Sequence, residues 1–188
     1  MAKTVEITLD QGMLRAHERA IISNHVCGSV LPVTILRADG KDRLVFLADG
    51  YHSASGWPFS SLGQMLRGVK ACIRGVRDAE NHLVASSRLS FDPDEVFLCR
   101  RAASACFVLA GRTDTRPLTV GEMLLPVLEA WKGHEGIIGA ESAMEELSRQ
   151  IKEKQPDADE LLKLAEALEL KWNRIHPPSD GEGQTSLI

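Results

Sequence analysis

Val5, Ile7 and Leu9 alternate with polar neighbours in TVEITLD (4–10), the period-two pattern of a half-buried strand. The following GMLRAHERAIISNHVCG has apolar or small residues at Met13, Ala16, Ala20 and Ile21, which predicts a helix over about 12–24. In LPVTILRADGKDRLVFLADG, Val33 and Ile35 alternate, ADGKD supplies a turn and RLVFLA returns. Asp-Gly between two β-rich runs is a hairpin signal, because both turn residues must take positive φ. GYHSASGWP then has the Gly, Ser and Pro content of a loop.

From Ser61 the period changes. Leu62, Met65, Leu66, Val69, Cys72, Ile73, Val76 and Leu83 recur at helical spacing, which predicts a long amphipathic helix with one face in the core. Ser61 and Gln64 form a capping box at its start. Gly63, Gly68 and Gly75 each weaken it by roughly 1 kcal/mol relative to Ala, so packing must hold it. RLSFDPDEVFLCRRAASACFVLAG (88–111) then reads as a second hairpin, entered through an acidic loop that contains Pro93.

Beyond about residue 117 the pattern is helical throughout. Thr119 and Glu122 cap a segment carrying Met123, Leu124, Val127, Leu128 and Trp131. GHEGIIG breaks the run, AESAMEELSRQIKEK turns Met144, Leu147 and Ile151 inward, and Pro156 separates it from DADELLKLAEALELKWNRI. The tail HPPSDGEGQTSLI is polar and rich in Pro and Gly, the composition of a disordered segment or linker. There is no internal repeat. The chain divides into a strand-rich part (1–58), a helical part holding the 88–111 hairpin (59–176) and the tail (177–188). That order is α+β rather than alternating β-α-β.

Composition narrows the function classes. With 188 residues the chain can bury an adequate core as one domain, or as one domain in two lobes. A net charge of −4 leaves no basic footprint for nucleic acid. No apolar run approaches the roughly 20 residues of a membrane span, and the N-terminus has no signal-peptide architecture. Cys27, Cys72, Cys99 and Cys106 are scattered, which fits reduced thiols in a cytoplasmic protein.

DPDEVFL (92–98) has the shape that closes a protein-kinase catalytic loop, with Pro93 as anchor and VFL as the strand. The long helix and the Asp-Gly hairpin precede it in the same order as in a kinase. Over roughly residues 12–130 the chain resembles a degenerate protein-kinase-like fold, with a reduced strand-rich N-terminal lobe and a helical C-terminal lobe containing one β-hairpin. More closely, SVLPVTI, the long helix, and LSFDPDEVFL followed by ACFVLAG resemble a domain found N-terminal to forkhead-associated (FHA) domains in Gram-positive bacterial proteins. The plan is also similar to the pseudokinase domain of the EssB/YukC family of type VII secretion. What the resemblance implies is a non-catalytic protein-interaction module, with an FHA domain as partner in cis or in trans.

Carried over position by position, the kinase machinery fails. The catalytic Asp falls at Ser90, the preceding Arg at Leu89 and the metal-binding Asn at Glu95. With Gly111 as the end of D-F-G, its Asp falls at Leu109 (Val108 if the turn is one residue shorter) and its Phe at Ala110. There is no G-x-G-x-x-G and no V-A-I-K lysine. Phosphoryl transfer rests on placing metal and phosphate charges, so neither catalysis nor a cofactor or metal is expected.

Other groupings admit two readings each. Asp92, Asp94 and Glu95 are either a cation site or an acidic turn around Pro93. Cys99 and Cys106 either face one another across the hairpin or act as small hydrophobes. His25 with Cys27 belongs to no triad pattern, and the histidines read as surface or satisfied core residues. Arg67, Lys70, Arg74 and Arg77 are a solvated face or a docking stripe for an acidic partner. Tyr51, Trp57 and Phe59 are interaction anchors or a plug between lobes. Lys70 or Arg88 would serve a nucleotide cleft in the competing reading, a nucleotide sensor or weak enzyme. Leu161, Leu164, Leu168 and Trp172 pack within the domain or against a second copy, the latter making a helical oligomerisation adaptor. Thr185, with Ile188 three residues later, is a phosphoacceptor segment for an FHA domain or a linker.

Overall fold

A computed structural model describes residues 3–99, 103–109, 118–134 and 136–175. Among the described residues, two three-stranded antiparallel sheets and five α-helices make an α+β architecture. In the first sheet, β1 (Thr4–Asp10) and β2 (Val33–Ala38) flank β3 (Lys41–Leu47). Ala38 pairs with Lys41, so Asp39 and Gly40 form the expected two-residue turn, with φ of 50° and 70°. Leu44 and Phe46 point inward from the middle strand and are fully buried. The first helix, α1 (Ala16–Ser23), is shorter than the sequence pattern suggests. Its start at Ala16 is set by Glu18, whose carboxylate accepts the Arg15 N–H at 2.9 Å.

The second sheet has the order β4 (His52–Ser53), β5 (Val96–Cys99), β6 (Ser104–Phe107). Thus β4, on the N-terminal side of the expected boundary at 58, pairs with the hairpin beyond it. The segment 29–31 also runs alongside β6: Phe107 N–H donates to the Ser29 carbonyl (2.9 Å) and Leu31 N–H to the Phe107 carbonyl (3.0 Å). One contiguous apolar core joins both sheets to the helices.

Helix α2 (Leu62–Asn81) lies at the centre of that core, with Met65, Leu66, Cys72, Ile73 and Val76 buried. The Ser61 hydroxyl caps it by accepting the Gln64 N–H. Helix α3 (Val120–Lys132) opens on the complete Thr119–Glu122 capping box. Helices α4 (Ala140–Lys154) and α5 (Ala158–Ile175) complete the helical part. Leu161 is buried, and Leu164, Leu168 and Trp172 pack against the core within the chain. The α2 stripe meets acidic partners here: Lys70 pairs with Glu169 at 2.6 Å and Arg77 with Asp159 at 2.6 Å. Arg67 and Arg74 stay exposed.

Two of the α2 glycines are required by close approach. A Cβ at Gly75 would stand 2.8 Å from the Phe107 ring and 3.1 Å from the Ala105 carbonyl oxygen. At Gly68 it would stand 2.8 Å from the Trp131 ring. Gly63 has no such neighbour, its nearest being the Ser61 hydroxyl at 3.9 Å. Gly75→Ala should therefore destabilise by about 1–3 kcal/mol through overpacking. Gly63→Ala should gain up to about 1 kcal/mol from helix propensity. Urea unfolding of the two variants checks the opposite signs.

Candidate functional site

The hairpin loop is closed on itself. The Ser90 hydroxyl donates to the Glu95 carboxylate, and Asp94 N–H donates to Asp92 Oδ1 at 2.9 Å. Glu95 and Val96 N–H both donate to the Asp92 carbonyl (2.8 and 3.0 Å). The loop is then pinned to the β4 region: Ser55 N–H donates to the Pro93 carbonyl at 3.0 Å, and the Ser55 hydroxyl to the Asp94 carboxylate. Asp92, Asp94 and Glu95 thus serve an Asx-type turn, which is how Asp side chains commonly order such loops.

Behind the loop, Ser90 N–H donates to the Val108 carbonyl at 2.9 Å and Leu89 bridges Leu109. The 89–90 and 108–109 segments are therefore adjacent, through buried Leu89, Ser90 and Leu109. Ala110, Gly111 and Thr185 lie outside the described residues.

The aromatic residues 57 and 59 are in the core rather than on the surface. Trp57 and Phe59 are buried and Tyr51 half-buried. Phe59 stacks edge-on against Trp131 (4.8 Å between centroids), whose indole N–H donates to the Ala54 carbonyl at 2.8 Å. This cluster fastens the 51–59 loop to α3, since aromatic rings bury large areas and favour edge-to-face contacts. Trp57 Nε1 is buried without a hydrogen-bond partner, which costs about 1–3 kcal/mol against the ring's packing.

The basic groups considered for a nucleotide cleft are committed elsewhere. Lys70 holds Glu169 on α5. Arg88 is buried, with Nε 3.2 Å from Glu18 Oε1 and an Nη donating to the Met13 carbonyl at 2.9 Å. This ion pair ties α1 to the entrance of the hairpin.

Cys99 and Cys106 are offset rather than opposed: Cys106 pairs with Phe97, and Cys99 with Ser104. Burial pushes the Cys106 thiol up to about 11 and the Cys72 thiol up to about 12, so both are inert hydrophobes. Cys27 does not meet His25, which is exposed. Its Sγ lies 3.7 Å from Asp78 Oδ2 and 3.4 Å from the Ser29 hydroxyl. Asp78 Oδ2 also accepts the Ser29 N–H (3.0 Å), and His82 Nδ1 is 3.3 Å from Asp78 Oδ1. Sequence spacing hid this group, because Cys27 is 51 residues from Asp78. The visible part of the signal was Asp78 and His82 at i, i+4 on one helix face.

A groove of about 530 Å³ runs between α4 and α5, lined by Leu62, Ala143, Arg149, Leu168, Trp172 and others. Gly139 makes it possible: φ is 78°, and a Cβ there would stand 2.2 Å from the Trp172 ring. Ile175 lines the groove and is exposed.

No family model and no curated protein matches the chain. Among solved structures, it is similar to the cytoplasmic fragment of ESSB from Staphylococcus aureus, at 12% identity and a TM-score of 0.47. The alignment covers 91% of this chain and 99% of that one. At that level the functional reading has to come from this chain's own residues.

The buried pair offers a direct test of how the hairpin is anchored. Arg88→Ala leaves the Glu18 carboxylate buried without its counter-charge, and should cost about 3–5 kcal/mol. Glu18→Gln/Arg88→Met should recover part of that loss, as measured by urea unfolding.

Proposed function

We propose that this domain is a non-catalytic, pseudokinase-like protein-interaction module. The observation that carries the reading is the 90–95 loop. Where a kinase places its base and metal ligand, Ser90 and Glu95 bond to one another and the neighbouring carboxylates hold a turn against Ser55. Leu109, at the position of the second metal ligand, is fully buried. The carboxylates of this loop are thus engaged within it and with Ser55. Phosphoryl transfer depends instead on carboxylates that hold metal ions, which supports the non-catalytic reading. Lys70 and Arg88, the two cations the competing nucleotide-sensor reading named, are engaged with Glu169 and Glu18.

The helical part supplies the surface for a protein partner, with the α4–α5 groove as its concave feature. The partner implied by the sequence resemblance is an FHA domain in phosphothreonine signalling or a secretion assembly. Thr185 and Ile188 are the residues it would read once Thr185 is phosphorylated, because the phosphate adds a charge of about −1.5 to −2 and three strong acceptors.

A thermal-shift titration with ATP and GTP, each with and without Mg²⁺, tests the non-catalytic reading. Saturation to 100 times Kd would stabilise a binder by about 2.7 kcal/mol. The expected result is no shift; a Mg²⁺-dependent shift would overturn it in favour of the nucleotide sensor. For the partner, an FHA domain should bind the chain phosphorylated at Thr185 and lose that binding on Thr185→Ala. Unchanged binding would remove Thr185 from the proposal.

A further inference from the structure

Cys27, Asp78 and His82 come from two separate segments and converge at the C-terminal end of α2. Among the described residues they are the one group of three such side chains whose donor atoms all lie within 4.8 Å of one another. Cys27 sits in the turn between α1 and β2, Asp78 lies in the last turn of α2, and His82 is the residue that caps its C-terminus. That turn contains no basic residue, so the negative end of the helix dipole is left to other cations.

From this geometry we infer that Cys27, Asp78 and His82 form a site for Zn²⁺, with a fourth coordination position open to solvent. A sulfur, a nitrogen and a carboxylate oxygen are the donor set that zinc takes in proteins. Tetrahedral bonds of about 2.3 Å to sulfur and 2.0–2.1 Å to nitrogen or oxygen place neighbouring ligand atoms roughly 3.3–3.6 Å apart. Cys27 Sγ lies 3.7 Å from Asp78 Oδ2 and His82 Nδ1 lies 3.3 Å from Asp78 Oδ1, and one donor atom from each of the three residues lies within 4.8 Å of the other two. Side-chain rotation has to shorten the longest of these separations by up to about 1.5 Å to reach a tetrahedral edge.

The protons balance simply. Without metal, the Cys27 thiol donates toward Asp78, and Nδ1–H of His82 donates to the Asp78 carbonyl at 2.7 Å. Ligation takes the imidazole tautomer with its proton on Nε2 and releases the thiol proton to solvent. The Ser29 N–H stays on Asp78 Oδ2 and orients the carboxylate from outside the coordination sphere. Asp78 and His82 are half-exposed, which leaves the fourth position accessible to water.

Titration of the full chain with Co²⁺ is the decisive experiment, because a thiolate-to-cobalt charge-transfer band reports the sulfur ligand itself. The expected result is one equivalent bound with that band, and its displacement by Zn²⁺. Cys27→Ser abolishes the band, and His82→Gln, at a half-exposed position, lowers Zn²⁺ affinity by more than about 100-fold, beyond the range of an outer-shell change. Cys106→Ser leaves both unchanged, and circular dichroism confirms that each variant is folded. Absence of the band in the native chain overturns the site. So does a band that survives Cys27→Ser, or one that is lost with Cys106→Ser.

Discussion

The fold depends on how closely α2 approaches the layers on either side of it. At Gly75 the helix backbone comes against the Phe107 ring and the Ala105 carbonyl on β6, and at Gly68 against Trp131 on α3. A side chain at either point would separate the layers, because protein interiors are packed to crystal-like density and do not absorb an added methyl group freely. Glycine's cost in helix propensity is thus offset by contacts that only a bare backbone permits.

From that contact the other placements follow. β6 is set by Phe107, and Phe107 in turn takes the 29–31 segment alongside it, which brings Cys27 and Ser29 to the last turn of α2. Trp131 is set by Gly68 and holds the 51–59 loop through Ala54 and Phe59, placing Ser55 against the acidic loop. The hairpin loop and the Cys27–Asp78–His82 group are therefore two ends of the same packing arrangement.

Buried charge plays a different part. Asp42 is buried on β3 between Arg19 and Arg37, and the Arg19 guanidinium, ahead of Arg37, holds its carboxyl below the usual range. Glu18 and Arg88 form the second such pair. Each joins α1 to another element, and an unpaired charge at either place would be expensive. Such pairs confer register: α1 has only eight residues, too few to be stable alone or to be positioned by apolar burial alone.

Much of the chain's local structure was determined by its sequence. The Asp39–Gly40 turn, the Ser61 and Thr119 caps, the apolar face of α2 and the bounds of α4 follow from φ requirements, capping chemistry and periodicity, which act over a few residues. What tertiary structure decided were the pairings between distant residues. Trp57 and Phe59 became core residues because α3 supplies Trp131 as their partner. Lys70 and Arg77 lost their status as a free stripe because α5 brings Glu169 and Asp159 across. Cys27 found Asp78 and His82 rather than His25 because segment 29–31 adds to β6. Each of these contacts spans tens of residues, and chain closure over that distance is set by packing of the whole core, on which the local pattern carries no information.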